Sequence, residues 1–348
     1  MVDKSTISKQ QTQKNRPELA ELHFHLGSCL HPSILWNLAH EQGIKLPSKD
    51  YWEFYDMITL NKEHITWEDY HKLFHWTELI QSSPLAMERA VYETITGAYR
   101  VNNITLCEPL FNPIYRNRKG EQDLDHIILA ALRGMERALV EYPQIKAGLI
   151  LALDRRLSPT LNKIIVKKAI KYHKRGIVGL DIAGPYGKKG DFDYADYAKA
   201  YAEAREAGLK TTAHTGEDGT PEEMAYVLKV LPLDRINHGI KASEDKEIMK
   251  ELVKRNLTLC TCPTSNMVVD FIRDEDHLRF VFQTLYNNGV KFCFNTDNPI
   301  MLKTNLTKEI EIIRKNKVLT EDQINETIKW AFEATFINLP NKHDNLYL

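Results

Sequence analysis

The chain has 348 residues, 43% hydrophobic and 27% charged, with a formal net charge of −1 at pH 7. That is enough for one large α/β domain or two smaller ones, and the balanced charge excludes a basic field directed at nucleic acid or an anionic membrane. No apolar run approaches the roughly 20 residues of a membrane-spanning helix. The opening "MVDKSTISKQQTQKNRPE" lacks an apolar secretory core. The expectation is a cytoplasmic protein with a loose polar tail over residues 1–18 and a single domain over 19–340. Cys29, Cys107, Cys260, Cys262 and Cys293 are an odd, dispersed set in apolar surroundings, which reads as reduced thiols. Cys260 and Cys262 share a strand face, but without the x₂ spacing of a zinc knuckle they read as inert buried thiols.

Taken in chain order, short apolar and β-branched runs recur at 21–26, 104–111, 146–153, 177–183, 210–215, 235–239, 257–262 and 291–296. Segments with helical spacing of apolar residues lie between them, such as "DFDYADYAKAYAEAREAGLK" and "EDKEIMKELVKRN". Neither repeats nor low-complexity stretches occur. Eight strands that are apolar on both faces, alternating with helices, predict a parallel (β/α)₈ TIM barrel, with an open doubly wound sheet as the alternative. The long gap between the first two strands contains "TWEDYHKLFHWTELI", residues 66–80. This reads either as an inserted helical subdomain packing on itself or as a lid that brings Leu73, Phe74 and Trp76 over the barrel mouth.

Active-site residues of such barrels come from the C-terminal ends of the strands. In "ELHFHL", His23 and His25 project from one face of a strand, because residues i and i+2 point the same way. His214, His238 and Asp297 stand at the ends of the fifth, sixth and eighth strands, and Glu217 follows His214 in the loop "TGEDG". Three imidazoles and a carboxylate suit a borderline-soft divalent ion such as zinc. Glu217 and His238 beside them suit acid–base work on water and substrate. Each residue has a bland alternative, as a satisfied core histidine, a helix-start acid or a turn residue before Pro299. The bland account must hold independently at every position, always at the same end of the barrel. The end of the fourth strand reads "LDIAGPYG", with no lysine placed to bridge two ions, so one metal ion is expected.

The motifs "ELHFHLGS", "GLDIAGP", "TTAHTGE", "RINHG", "CPTSN" and "FNTDNP" resemble, in order and spacing, those of the adenosine deaminase family over about residues 20–335. The resemblance implies a barrel aminohydrolase holding one Zn²⁺, which adds water at C6 of an adenine ring and releases ammonia. It implies His23, His25, His214 and Asp297 as metal ligands, Glu217 as the acid that protonates ring N1, and His238 as the base that orients water. It places Gly184 against the purine N3, where a glycine permits close approach. The implied partner is a small-molecule purine nucleoside; oligomeric state is not legible.

Two departures bear on substrate. The family's nucleoside deaminases usually carry an Asp where this chain has Gly27, followed here by Ser28. The ribose 5′ anchor is therefore expected to be absent, which removes a repulsive charge and admits a 5′-phosphate, a thioether or another modified 5′ end. Lys188, Lys189, His31 and the run "RNRKG" at 116–120 are candidate anion contacts, with solvated loop charge the favoured reading. In "TDNP", Asn298 stands where the family shows a second acid, and its amide can donate to N7 without an extra proton. Leu110 replaces a frequent Arg, with no functional account. Two other readings keep the site: an aminohydrolase of another heterocycle, or a silent nucleoside-binding barrel, against which Glu217 and His238 argue. The H-x-E and P-C-x-x-C pattern of deaminases acting on nucleic-acid bases is absent.

Overall fold

The apolar runs fall on eight positions of a closed parallel sheet in the computed structural model, which describes residues 16–117, 123–185 and 192–338. The strands are β1 (Leu19–Glu21), β2 (Ile104–Cys107) continued by β3 (Leu110–Phe111), and β4 (Lys146–Ala147) continued by β5 (Leu149–Asp154). There follow β6 (Ile177–Ala183), β7 (Lys210–Thr211) continued by β8 (His214–Thr215), β9 (Ile236–His238), β10 (Thr258–Thr261) and β11 (Lys291–Phe294). Each pairs in parallel with its neighbour in chain order. Closure comes from a parallel bridge between Phe24 and Asp297, in which Asp297 N–H donates to the His23 carbonyl at 3.1 Å and His25 N–H to the Asp297 carbonyl at 2.7 Å.

The first strand differs from its sequence reading. Its ladder begins at Leu19 rather than Glu21, and beyond Glu21 it continues only as isolated bridges at Phe24 and His25. The cause is Asn295, whose side-chain carbonyl accepts from Leu22 N–H and His23 N–H at 2.8 and 3.1 Å, taking the place of ladder bonds. Arg16 and Glu18, expected in the loose tail, already bond to Val101 and Thr105; residues 1–15 lie outside the described residues.

One apolar cluster joins Leu151, Leu180, Ile236 and Leu259 of the sheet to Ile165, Tyr201, Leu252 and Phe282 of the surrounding helices. The insertion after β1 contains α1 (Pro32–Glu41), α2 (Tyr51–Ile58), α3 (Trp67–Lys72) and α4 (Phe74–Ile80), followed by α5 (Pro84–Asn102). Its starts follow capping chemistry: Asp50 accepts from Trp52 N–H and Glu53 N–H, and Ser83 precedes a proline at the first turn. Both readings of this insertion hold. Leu35, Leu38, Phe54, Ile58 and Ile80 form a core of their own, while Tyr70 packs on Val268, Val269 and Leu302 beside the barrel mouth. Among the described residues no helix is long and apolar enough to cross a membrane.

A fully buried ion pair ties the sheet together. Arg235 Nη1 lies 2.8 Å from Glu108 Oε2, Arg235 Nη2 donates to the Leu22 carbonyl, and the guanidinium sits 3.9 Å over the Phe336 ring. Removing one partner of such a pair strands the other charge out of water. Arg235→Met is expected to lower the unfolding free energy by about 3–5 kcal/mol, read from urea denaturation. A loss under 1 kcal/mol would show that Glu108 takes up a proton or reaches water instead.

Candidate active site

The strand ends deliver the sequence-selected side chains to one point. His23 and His25 leave the first strand on the same face, and both reach His214 Nε2, at 3.0 and 3.2 Å from their own Nε2 atoms. Asp297 Oδ1 stands 3.2 Å from His25 Nε2 and 3.8 Å from His23 Nε2. Donors held at about 2.0–2.1 Å from a tetrahedral zinc are about 3.3 Å apart, so these separations fit such an ion without rearrangement. His238 belongs to the same cluster, since donor atoms of His23, His214, His238 and Asp297 all lie within 4.8 Å of one another. Its Nε2, however, faces Glu217 Oε2 at 3.3 Å.

Backbone conformation aims two of these groups. His238 and Asp297 both have left-handed backbone, with φ of 63° and 58°. For residues with a side chain this costs of order 1–3 kcal/mol and collects at functional sites. Supporting hydrogen bonds hold the rest. Asp181 Oδ2 stands 2.8 Å from His214 Nδ1, while Asn237 donates to Asp181 Oδ1 at 3.1 Å. With Nδ1 facing Asp181, His214 turns its Nε2 to the cluster. Asp297 Oδ2 accepts from Ser265 at 2.5 Å and from Tyr70 at 3.1 Å.

Burial sets the protonation states. It drives His23 well below the ordinary histidine range, reinforced by the neighbouring rings, and pushes His238 down to about 3. Burial also opposes the Asp297 carboxylate, but the His25 hydrogen bond and the surrounding imidazoles outweigh it and hold its pKa well below the usual carboxylate value. Glu217 goes the other way: burial, then the charges of Asp297 and Asp218, raise it well above the usual range. Burial thus disfavours the charged forms of His23, His238 and Glu217, while Asp297 is held as the carboxylate. Neutral rings and one carboxylate are the forms that bind a divalent cation.

The cluster lies at the base of a cavity of about 810 Å³. Gly27, Phe74, Gly184 and Asn298 line it, as the sequence reading expects. Gly184 has φ of 98°, and a Cβ there would meet Asp154 Oδ1 at 2.9 Å, so glycine is required by both conformation and space. Trp76 also lines the cavity. Two expectations shift. Ser28 and Leu73 are not among the lining residues; the Ser28 hydroxyl instead lies 2.6 Å from Asn298 Oδ1 and orients that amide. Leu110 is fully buried and packs with Ile150, Ala152 and Phe336. Of the candidate anion contacts, Arg116 is buried and paired with Glu78 at 2.9 Å, His31 caps α1 through Ser33, and Lys188, Lys189 and residues 118–120 lie outside the described residues.

Sequence reasoning missed Tyr70, Arg155 and Glu78. Tyr70 is buried, accepts from the Asn298 amide and donates to Asp297. Arg155 is buried, its guanidinium bonded to Tyr194 and the Gly184 carbonyl, and it opposes the rise in Glu217 pKa. The aromatic run at 66–80 was a visible signal for Tyr70; nothing local singles out the other two.

A parallel barrel whose mouth gathers imidazoles and carboxylates in this way defines a hydrolase of the metal-dependent barrel class. The chain belongs to the adenosine deaminase family, whose model it matches over residues 18–346. It is 27% identical over 329 residues to an adenosine deaminase of Clostridium botulinum, covering 94% of this chain and 96% of that protein. Among solved structures it is similar to an adenine deaminase from Arthrobacter aurescens, with a TM-score of 0.81, 22% identity and coverage of 92% of this chain and 94% of that one. It is also similar to an N6-mAMP deaminase of Arabidopsis, with a TM-score of 0.78, 22% identity and coverage of 94% and 96%. The protein is a hydrolytic deaminase of that family.

Because the Asp181 carboxylate stands 2.8 Å behind His214 Nδ1, Asp181→Asn is expected to weaken divalent-ion affinity about 10- to 100-fold. Competition with a chromogenic chelator measures this. Unchanged affinity would remove His214 from the donor set.

Proposed function

We propose that the protein catalyses the zinc-dependent hydrolytic deamination of an adenine nucleoside, giving the 6-oxo purine and ammonia. The observation that carries this reading is the close approach of the donor atoms of His23, His25, His214 and Asp297 beside Glu217, whose pKa burial raises. His25 is preferred over His238 as the fourth ligand because its Nε2 is 3.2 Å from both His214 Nε2 and Asp297 Oδ1, whereas His238 turns to Glu217. These residues would hold a zinc ion, which would supply the Lewis acidity that makes water nucleophilic near pH 7.

The chain's own groups do the remaining work. Glu217, whose hold on its proton burial strengthens, donates that proton to N1 of the ring, which draws electron density from C6 and prepares it for addition. His238, neutral with a pKa of about 3, accepts a hydrogen bond from the attacking water and orients it. Asn298 has a second amide hydrogen besides the one given to Tyr70, and offers it to N7. The backbone at Gly184 approaches N3. Proton transfer to the departing amine then releases ammonia. Phe74 and Trp76 cover the ring face and exclude water.

Glu217→Gln is expected to lower kcat at least about 100-fold while the protein still binds one zinc ion per chain, measured by metal analysis beside ammonia release. Retained turnover would exclude Glu217 from the proton path. The pH dependence follows from the sign of the shift. Because the Glu217 pKa is raised and its protonated form is the active one, the rate is full below that pKa and falls as pH rises through it. His238, at about 3, imposes no limb in the neutral range. A chelator should abolish turnover and zinc should restore it.

A further inference from the structure

The carboxylate absent from position 27 returns from the lid. Gly27 lies in a short 3-10 turn, Leu26–Ser28, and is not among the glycines with left-handed backbone. Its conformation therefore permits any side chain. Space does not: a Cβ at position 27 would stand 2.5 Å from Glu78 Oε1 and 3.2 Å from Arg116 Nη2. Glu78, on α4 of the lid, is held at this place by Arg116, whose side chain is only 1% exposed and whose Nη2 lies 2.9 Å from Glu78 Oε1. One turn along the same segment, Gln81 donates to the Gly27 carbonyl at 3.1 Å, so the lid grips the turn from both sides of its backbone. Glu78, Arg116 and Gly27 all line the cavity that holds Glu217 and His238.

Resting on the deaminase reading above, we propose that Glu78 recognises the sugar end of the substrate, accepting a hydrogen bond from a free hydroxyl there, and that the substrate class is the neutral nucleoside rather than the nucleoside monophosphate. Arg116 fixes the carboxylate beside the cavity. The neighbouring guanidinium of Arg156 is likewise matched, by Asp154 at 2.6 Å. A phosphate at this wall would meet the Glu78 carboxylate, and like charges in a partly desolvated cleft discriminate strongly. The glycine at position 27 is the consequence: a side chain there and the Glu78 carboxylate exclude one another. On this proposal the acid anchor comes from residue 78 and the 5′ end is closed to anionic groups.

The test compares kcat/KM of the zinc-loaded full chain for adenosine, 5′-deoxyadenosine, AMP and adenine, in the parent, Glu78→Gln and Gly27→Ala. Gly27→Ala displaces the carboxylate without removing it, and so answers the question if Glu78→Gln fails to fold. The parent is expected to favour adenosine over 5′-deoxyadenosine by about tenfold or more, the loss of one hydrogen bond to a charged group, and over AMP by roughly 100-fold. In the variants the ratio of adenosine to 5′-deoxyadenosine should fall towards one, and AMP should gain relative to adenosine. AMP or adenine used as well as adenosine by the parent overturns the proposal and leaves the deaminase reading standing, as does a ratio unchanged in both variants. No turnover of any of the four compounds overturns both.

Discussion

Asp297 is the residue on which the most depends, because its backbone and its side chain carry different loads. Through its main chain it bonds to His23 and His25 and closes the sheet between the last strand and the first. Through its carboxylate it faces the imidazole cluster with one oxygen and takes Ser265 and Tyr70 with the other. Barrel closure and donor geometry are thus set by the same atoms. The left-handed conformation of Asp297 is the cost of doing both, and it is offset by the hydrogen bonds converging on the residue. Shifting it would open the closure and disperse the donors together.

The lid is bound to this centre by polar contacts as well as by apolar packing. Tyr70 reaches from α3 to Asp297 and Asn298, Trp67 donates to Asp218 in the loop that carries Glu217, and Gln81 holds the Gly27 carbonyl. Meanwhile Leu35, Phe54 and Ile80 give the insertion a core independent of the barrel. A segment with its own core can move as a body, and one whose contacts to the mouth are directional hydrogen bonds returns to a single position. The same helices supply the aromatic faces of the cavity and the Glu78 carboxylate.

What could be read along the chain follows from how close the informative residues are in sequence. His23 and His25 are two apart and the period of a strand places them on one face; "TTAHTGE" and "TDNP" put a strand end and its reactive side chain in one short window. The (β/α)₈ order was legible because strands buried on both faces leave continuous apolar runs. The break in the first strand beyond Glu21 was not legible because the side chain of Asn295, 273 positions from Leu22, replaces ladder bonds there. Gly27 was read as a lost acid, since a one-dimensional comparison sees the position and not the space beside it.

The sequence by itself therefore determined the barrel and the group of imidazoles and carboxyls gathered at its mouth, both of which are encoded in local spacing and strand periodicity. Only the tertiary structure decided that His25 Nε2 stands 3.2 Å from His214 Nε2 while His238 Nε2 faces Glu217, that Tyr70 and Ser265 brace Asp297, and that a carboxylate from residue 78 occupies the space beside residue 27. These facts are distances between groups tens to hundreds of residues apart. Such distances exist only once the chain has closed on itself and packing has chosen one rotamer for each side chain.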